Sequence, residues 1–111
     1  MKYNKFGNIK TLVDGIKFDS KKEAKRYLEL KMLQRCGKIS NLTLQPSKVL
    51  QNSFKDYLGK SVREIKYICD FSYTNNGQEI WEDVKGHKTD IYKLKKKLFL
   101  FKYPDIIFIE S

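Results

Sequence analysis

The sequence predicts a single α/β domain in which a mixed β-sheet is flanked by two helices. Two segments show helical periodicity with capping signals, and several others are rich in β-branched and aromatic residues. Their order along the chain, αβββαβ, favours helices packed on the faces of one sheet. A length of 111 residues with 41% hydrophobic content suits one core, so we treat residues 1–111 as one domain.

The first helix is preceded by a polar, turn-rich stretch. We expect residues 1–19 to form a partly irregular N-terminal arm, in which residues 13–18 form either a short hairpin or an extended arm. The helix is predicted over residues 20–36, because Ser20 and Glu23 form a Ser-x-x-Glu capping box and Gly37 provides a C-terminal stop. Glu23 therefore has an ordinary structural role available to it, beside any chemical one.

The middle of the chain alternates strand and turn signals. Residues 42–50 predict a strand interrupted near Pro46, since proline cannot donate to a strand ladder. Residues 52–61 predict a polar connection. Residues 65–73 are rich in β-branched and aromatic side chains, and the turn signal at residues 74–77 predicts that they form a hairpin with the strand that follows.

The last two elements are a helix and a strand. Residues 89–102 carry apolar side chains at helical spacing, which predicts that this stripe packs inward while lysines face outward. The stripe consists of Ile91, Leu94, Leu98 and Phe101, and the outward lysines include Lys93, Lys96 and Lys97. Residues 103–104, Tyr-Pro, end the helix. Residues 106–109 are continuously apolar, as expected for a strand covered on both faces.

The charge of the chain indicates a polyanionic partner. Lys and Arg total 23 against 13 Asp and Glu, a formal net charge of +10, which favours nucleic acid through counterion release. We find neither an 18-residue apolar run nor a signal-peptide segment, so no membrane partner is expected and the cytoplasm is the expected compartment. Two cysteines without partner histidines form no zinc signature.

The predicted hairpin brings acidic side chains together. Asp70 is expected to lie opposite Asp83, and residues two apart share a face, so Asp83 and Lys85 project to one side and Glu82 to the other. Two carboxylates suit Mg²⁺, and a lysine can orient a water or neutralise a phosphorane-like anion. The constellation predicts metal-dependent hydrolysis of a phosphodiester. Glu82 could replace Asp83 as ligand if the strand were bulged, and Asp83 with Lys85 could instead be a surface ion pair.

The same residues carry a family resemblance. Glu23, Asp70 and Asp83-Val84-Lys85, in this order on these elements, resemble the PD-(D/E)XK nuclease superfamily. Further segments are similar to a group of small phage-encoded proteins assigned to it, namely 14–24, 37–39, 44–46 and 82–86. The resemblance implies a restriction-endonuclease-like domain with Glu23, Asp70, Asp83 and Lys85 as catalytic residues. It implies Mg²⁺, replaceable by Mn²⁺, on Asp70, Asp83, Glu23 and the Val84 carbonyl.

Basic and polar residues around this constellation are expected to contact DNA through its backbone and shape rather than its sequence. They are Lys21, Lys22, Lys25, Gln45, His87, Lys88, Lys93, Lys96 and Lys97. Each also has an ordinary interpretation: lysine runs are usually solvated helix faces, and an isolated histidine is usually a surface residue.

The function we predict is a Mg²⁺-dependent DNA endonuclease. Its finer form is an enzyme specific for branched DNA, such as a Holliday junction, in phage recombination or replication within the cytoplasm of the bacterial host. A homodimer is expected, because so small a nuclease needs two sites to cut both strands. The alternative is a non-catalytic DNA- or protein-binding module on a nuclease-like fold. The sequence leaves DNA against RNA open.

Overall fold

The computed structural model describes residues 10–84 and 88–111. The elements follow in the order β1 (Thr11–Val13), β2 (Ile16–Phe18), α1 (Lys21–Arg35), β3 (Ser40–Leu44), β4 (Ser47–Gln51), β5 (Phe54–Lys55), β6 (Ser61–Val62), β7 (Ile65–Ile68), β8 (Phe71–Asn75), β9 (Gln78–Asp83), α2 (Asp90–Lys102) and β10 (Ile107–Glu110). The predicted α/β class is confirmed. Ser20 caps α1 by accepting from the Glu23 amide at 3.1 Å, and Thr89 caps α2 in the same way.

A four-stranded mixed sheet with the order β10-β9-β8-β3 forms the centre of the fold. β10 runs parallel to β9, and the other pairs are antiparallel. One face packs on α1, where Phe71 and Tyr73 of the sheet meet Tyr27 and Leu30 of the helix. The other face packs on α2 through a mainly aromatic cluster, which we call the aromatic cluster. It consists of Tyr67, Cys69, Trp81, Tyr92 and Phe99. Each helix therefore covers its own side of the sheet.

Residues 47–68 extend the sheet as a two-stranded ribbon, which we call the β-arm. β4 pairs with β7, and further out β5 pairs with β6, all antiparallel. The inner half is held against α2, since the Tyr103 hydroxyl donates to the Val49 carbonyl at 2.7 Å. The predicted interruption near Pro46 is confirmed. The prediction for residues 52–61 is wrong in part, because β5 and β6 turn that segment into a hairpin.

The strand predicted over residues 65–73 is divided in two, because the amides of Cys69 and Asp70 bond to the Pro46 carbonyl and to the Asp83 side chain, and residues 65–68 form β7, which pairs with β4. The predicted hairpin is confirmed for β8 and β9. Its loop is the two-residue pair Asn76-Gly77, with φ of 53° and 77°, the left-handed geometry that a tight hairpin turn requires and that glycine adopts without strain. In the N-terminal arm, the hairpin that was one of two alternatives for residues 13–18 is present, since β1 and β2 pair antiparallel, and residues 1–9 lie outside the described ranges.

Two burial predictions are wrong. The last strand was expected to be covered on both faces, yet Ile107 and Ile109 are 40% and 37% exposed, and only the alternate residues turn toward α2. The apolar stripe of α2 was expected to face inward, but Leu94 is 58% exposed and Phe101 is 87% exposed. The buried residues of α2 are Tyr92 and Phe99.

The physical reason lies in the aromatic cluster. Tyr92 and Phe99 repeat at helical spacing just as the aliphatic stripe does, and their rings bury more area than aliphatic side chains do. Lys96, between them on the helix, was expected to face outward but is half-buried, with its ammonium 5.3 Å from the centre of the Phe108 ring.

The exposed stripe leads to a test of stability. Replacing Leu94 with glutamine is expected to change the free energy of unfolding by less than about 0.5 kcal/mol, the usual range for a surface position. Urea denaturation followed by circular dichroism would measure it. A loss above about 2 kcal/mol, as for a core leucine, would contradict the exposed position of Leu94.

No helix within residues 10–84 and 88–111 has the length and apolar character needed to span a membrane.

Candidate functional site

Asp70 and Asp83 lie together, as the sequence predicted, where β8 begins and β9 ends. The Asp70 amide donates to Oδ1 of Asp83 at 3.1 Å, and the Val84 amide donates to Oδ2 of Asp70 at 2.8 Å. Each carboxylate is thus bound by a main-chain amide from the opposite strand. This reciprocal pairing holds two acidic side chains side by side, an arrangement that needs support because like charges repel.

The backbone at this point places Asp70 beside β9. Gln45 has a φ of 51°, and its amide donates to the Asp70 carbonyl at 3.0 Å, while the Cys69 amide donates to the carbonyl of Pro46 at 2.9 Å. Because proline has no amide hydrogen, the regular ladder breaks here and the ribbon changes direction. The sheet and the β-arm therefore meet at Asp70, with Gln45 directly opposite.

Asp83 is fully buried on the α2 side of the sheet. Its Oδ2 accepts a hydrogen bond from the Tyr67 hydroxyl, and its Oδ1 accepts from the Asp70 amide. A buried carboxylate is costly unless opposite charge or hydrogen bonds compensate it, and these two donors help to stabilise Asp83. Burial, followed by the hydrogen bond to Glu110 and the negative charge of Asp83, raises the pKa of Tyr92.

Glu82 is equally buried but points to the other side of the sheet. It accepts from Arg26 at 2.6 and 3.1 Å and from the Tyr73 hydroxyl at 2.7 Å. Burial acts to raise the pKa of Glu82, but hydrogen bonds from Arg26, Ser111 and Tyr73 outweigh it and leave that pKa below its ordinary value. β9 carries no bulge here, so Glu82 lies away from Asp70, and Asp83 is the carboxylate beside it.

Glu23 is buried on α1, at 7% exposure, and its amide is used by the Ser20 cap. Within residues 10–84 and 88–111, no group of three or more His, Cys, Asp or Glu side chains is arranged to hold a metal ion. The structure therefore brings Asp70 and Asp83 together but does not gather Glu23 with them into a three-ligand set. The two aspartates and the Val84 carbonyl still match the oxygen ligands that Mg²⁺ prefers.

Two basic cavities lie near the end of the sheet that holds Asp83, one reaching Val84 and the other reaching Glu110, the β10 partner of Asp83. One, of about 260 Å³, lies against α1 and is lined by Lys22, Lys25, Arg26, Glu29, Val84 and Ser111. The other, of about 360 Å³, lies against α2 and is lined by Lys88, Tyr92, Lys93, Lys96, Lys97, Leu100 and Glu110. Six of the nine predicted DNA-contacting residues therefore line cavities near the end of the sheet that holds Asp83.

Glu110 organises the cavity on the α2 side. It is the strand partner of Asp83 and accepts from the Tyr92 hydroxyl at 2.5 Å and from Lys88 at 3.2 Å. The hydrogen bond from Tyr92, opposed by slight burial and reinforced by Lys88 and Lys96, lowers the pKa of Glu110 to about 2. Glu110 is thus ionised at neutral pH, and it holds two lysines at the edge of the cavity.

The remaining predicted residues divide into two groups. Lys21 and Gln45 are exposed, Lys21 at the start of α1 and Gln45 at the change of direction opposite Asp70. Lys85 and His87 lie outside the described residues, so the predicted partnership of Lys85 with Asp83 stays a prediction.

A family model described as "Protein of unknown function (DUF1064)" matches residues 3–109. The chain belongs to the DUF1064 family. It has no significant match among curated proteins or solved structures. Because the family description carries no activity, any function assigned to this DUF1064 chain has to be argued from its site.

Sequence reasoning missed the residues that support the acidic pair of this DUF1064 chain. The Tyr67 hydroxyl on β7 donates to Asp83, and the Tyr92 hydroxyl on α2 donates to Glu110. Arg26 neutralises Glu82, although 56 positions of sequence separate the two residues. The available signal was the alternation of tyrosines with apolar residues in β7 and β8, because a tyrosine on a buried face usually donates its hydroxyl to a partner. Which carboxylate accepts from each tyrosine could not be predicted from the sequence.

Proposed function

We propose that this DUF1064 chain is a Mg²⁺-dependent endodeoxyribonuclease with a PD-(D/E)XK type of site. The observation that carries the proposal is the reciprocal hydrogen bonding of Asp70 and Asp83 at a strand end near two basic cavities. A structural role alone gives little reason to place two carboxylates together beside a basic cavity that reaches Val84, the residue after Asp83. A divalent cation would relieve their mutual repulsion.

Asp70, Asp83 and the Val84 carbonyl would hold the cation, which Mn²⁺ could replace. Mg²⁺ supplies a water of lowered pKa and stabilises charge on a phosphate oxygen. Tyr67 fixes the orientation of Asp83 by donating to it, and the Asp70 amide fixes its second oxygen. In this proposal Lys85 neutralises the charge that develops on the phosphate, and Glu23 acts from α1 as a positioning carboxylate rather than a third ligand.

The basic cavities would bind the phosphate backbone on either side of the scissile bond. Lys22 and Lys25 approach Val84 from α1, while Lys93 and Lys97 line the cavity on α2. Lys88 and Lys96 are shared with Glu110, so they contribute less charge than the other lysines. Such contacts read the backbone and not the base sequence, which suits an enzyme that selects DNA by its shape.

The finer proposals rest on the same site. Branched DNA, including the Holliday junction, is the proposed substrate, with a role in phage recombination or replication in the bacterial cytoplasm. A homodimer would supply two sites for two strands. The competing proposal, a DNA- or protein-binding module, draws support from the lack of a three-ligand acidic group within the described ranges.

Cleavage of labelled four-way-junction, flap and linear duplex DNA, with an RNA duplex of the same sequence, would test the proposal. Each substrate is incubated with Mg²⁺, Mn²⁺ or EDTA. We expect cutting of DNA with either metal, its loss in EDTA, and its loss in Asp70→Asn. Asp19→Asn is the matched control, because Asp19 is exposed and pairs only with the surface residue Lys10 among the contacts described.

Binding without cutting by the wild-type protein under every metal condition would favour the binding module. Equal cutting by Asp70→Asn and the wild type would remove Asp70 from the site. Cutting of RNA alone would leave a metal nuclease but exclude DNA as the substrate.

A further inference from the structure

The outer end of the β-arm presents apolar side chains to solvent. Tyr57 is 101% exposed and Leu58 is 76% exposed, and every residue from 51 to 61 is exposed. These two side chains add nothing to the core of the described chain. A large ring and a branched aliphatic group at the apex of a projecting hairpin are typical of a contact surface.

The apex is held in one conformation by its own hydrogen bonds. Oδ1 of Asp56 accepts from the amides of Leu58 and Lys60, both at 2.9 Å, and the Asp56 amide donates to the Lys60 carbonyl at 2.8 Å. Gly59 closes the turn with a φ of 81°. A turn fixed in this way loses little conformational entropy when Tyr57 binds a partner, which favours affinity.

The charge around the apex identifies the partner as nucleic acid. Lys55, Lys60 and Arg63 surround Tyr57 and Leu58 in the sequence of the hairpin, and the only carboxylate among residues 54–63 is Asp56, whose oxygen is used by the turn. An aromatic ring among cations matches a base with its neighbouring phosphates, since bases stack on aromatic side chains and lysines bind the backbone.

The base must be unpaired for stacking to occur. Within a duplex both faces of a base are already covered by its neighbours, whereas branch points, bubbles and single strands offer open faces. Leu58 lies twelve positions before Asp70 along the ribbon. At about 3.3 Å per position this interval is at most about 40 Å long, enough to reach across one helical turn of DNA, roughly 34–36 Å.

We propose that the apex of the β-arm binds unpaired nucleotides of the DNA substrate, with Tyr57 stacked on a base and Lys60 and Arg63 on the adjoining phosphates. The inference rests on the proposed function in taking DNA as the substrate. It adds a second contact, at most about 40 Å along the ribbon from the acidic pair, that distinguishes branched or opened DNA from continuous duplex.

Binding can be measured separately from cutting. Two labelled duplexes of about two helical turns, one fully paired and one with a short bubble containing 2-aminopurine, are titrated in EDTA and followed by anisotropy and by 2-aminopurine fluorescence. The variants are Tyr57→Ala and Tyr57→Phe, and Leu12→Ala is the matched control because Leu12 is 71% exposed on β1. Circular dichroism establishes that each variant is folded.

We expect the wild type to prefer the bubble and to quench 2-aminopurine. Tyr57→Ala should weaken binding to the bubble roughly tenfold and remove the quenching, while Tyr57→Phe and Leu12→Ala retain both. Binding to the paired duplex should change little. An unchanged affinity of Tyr57→Ala for the bubble, an equal loss on both duplexes, or a wild type without preference would overturn the proposal, and a protein-binding apex would give the first of these.

The outcomes also separate this proposal from the proposed nuclease. Tyr57-dependent binding in EDTA with no cutting in Mg²⁺ would leave the β-arm contact standing and remove the nuclease. Cutting in Mg²⁺ with normal binding by Tyr57→Ala would do the reverse.

Discussion

Asp83→Asn is expected to reduce Mg²⁺-dependent cleavage at least about 100-fold, because the neutral amide can no longer help hold the cation beside Asp70. Asparagine keeps the size of the side chain and can still accept one of the two hydrogen bonds that Asp83 receives from Tyr67 and Asp70. The fold should therefore persist. Single-turnover cleavage of the preferred DNA substrate, with binding measured in parallel, would separate lost chemistry from lost affinity.

The neighbouring carboxylate provides a demanding control. Glu82 is as deeply buried as Asp83 but lies on the α1 side, bound to Arg26 and Tyr73. Glu82→Gln should lower the free energy of unfolding by about 1–3 kcal/mol, since a charged hydrogen bond is lost, yet leave cleavage per folded molecule largely unchanged. Abolition of cutting by Glu82→Gln with full activity in Asp83→Asn would reverse the assignment of the two carboxylates.

Arg26→Met is expected to lower the free energy of unfolding at pH 7 by about 3–5 kcal/mol, as for other buried pairs that lose one partner. The change would leave the Glu82 carboxylate at 0% exposure with no cation bound to it, and the hydrogen bonds from Tyr73 and Ser111 could not compensate its charge. Urea denaturation followed by the fluorescence of Trp81 would measure the loss. Arg35→Met, at an exposed site on the same helix, is the control.

The pH dependence of that loss has a definite sign. In the wild type the pKa of Glu82 lies below its ordinary value of 4.5, so the pair stabilises the fold above that value, and its contribution disappears as the pH falls through the lowered pKa. Without Arg26, burial raises the pKa of Glu82, and the penalty of the ionised form disappears below about pH 4.5. The difference between the two proteins should therefore shrink on acidification from pH 7 to 4.

Removing the carboxylate as well should restore much of the stability. Arg26→Met combined with Glu82→Gln leaves a neutral side chain that still accepts from Tyr73, so the double variant should be more stable than Arg26→Met alone. Additive losses from the two changes would show that Arg26 stabilises the helix for a reason unrelated to Glu82.

Local signals predicted the helices and the hairpin well. Ser20 and Thr89 occupy caps, Asn76-Gly77 forms the turn, and the period of two along β9 separates Glu82 from Asp83. Each of these features depends on a few consecutive residues. The pairing of Asp70 with Asp83 follows from the turn, which is why the central part of the site could be predicted without a structure.

Features that depend on distant residues were not predictable. Two sets of side chains on α2 repeat at helical spacing, an aliphatic set that includes Leu94 and an aromatic set that includes Tyr92 and Phe99. Only the aromatic set packs into the aromatic cluster on the sheet, and Leu94 stays in solvent. Lys96 was predicted to face solvent like the other lysines of α2, but it is half-buried beside Phe108. The contact between Arg26 and Glu82 likewise joins segments that share no local pattern.

The two-residue turn fixes the register of β8 and β9, and with it the alignment of Asp70 and Asp83. Asp70 lies six residues before Asn76, and Asp83 lies six residues after Gly77, so the alignment of the carboxylates is measured from the far end of the hairpin. One residue inserted into β9 after the turn would bring Glu82 to the position now held by Asp83 and exchange every side chain between the two faces. Changes in the length of the β-arm would leave the register of β8 and β9 unchanged. Evolution could thus vary the reach of the arm while the spacing of the two acids stays constant.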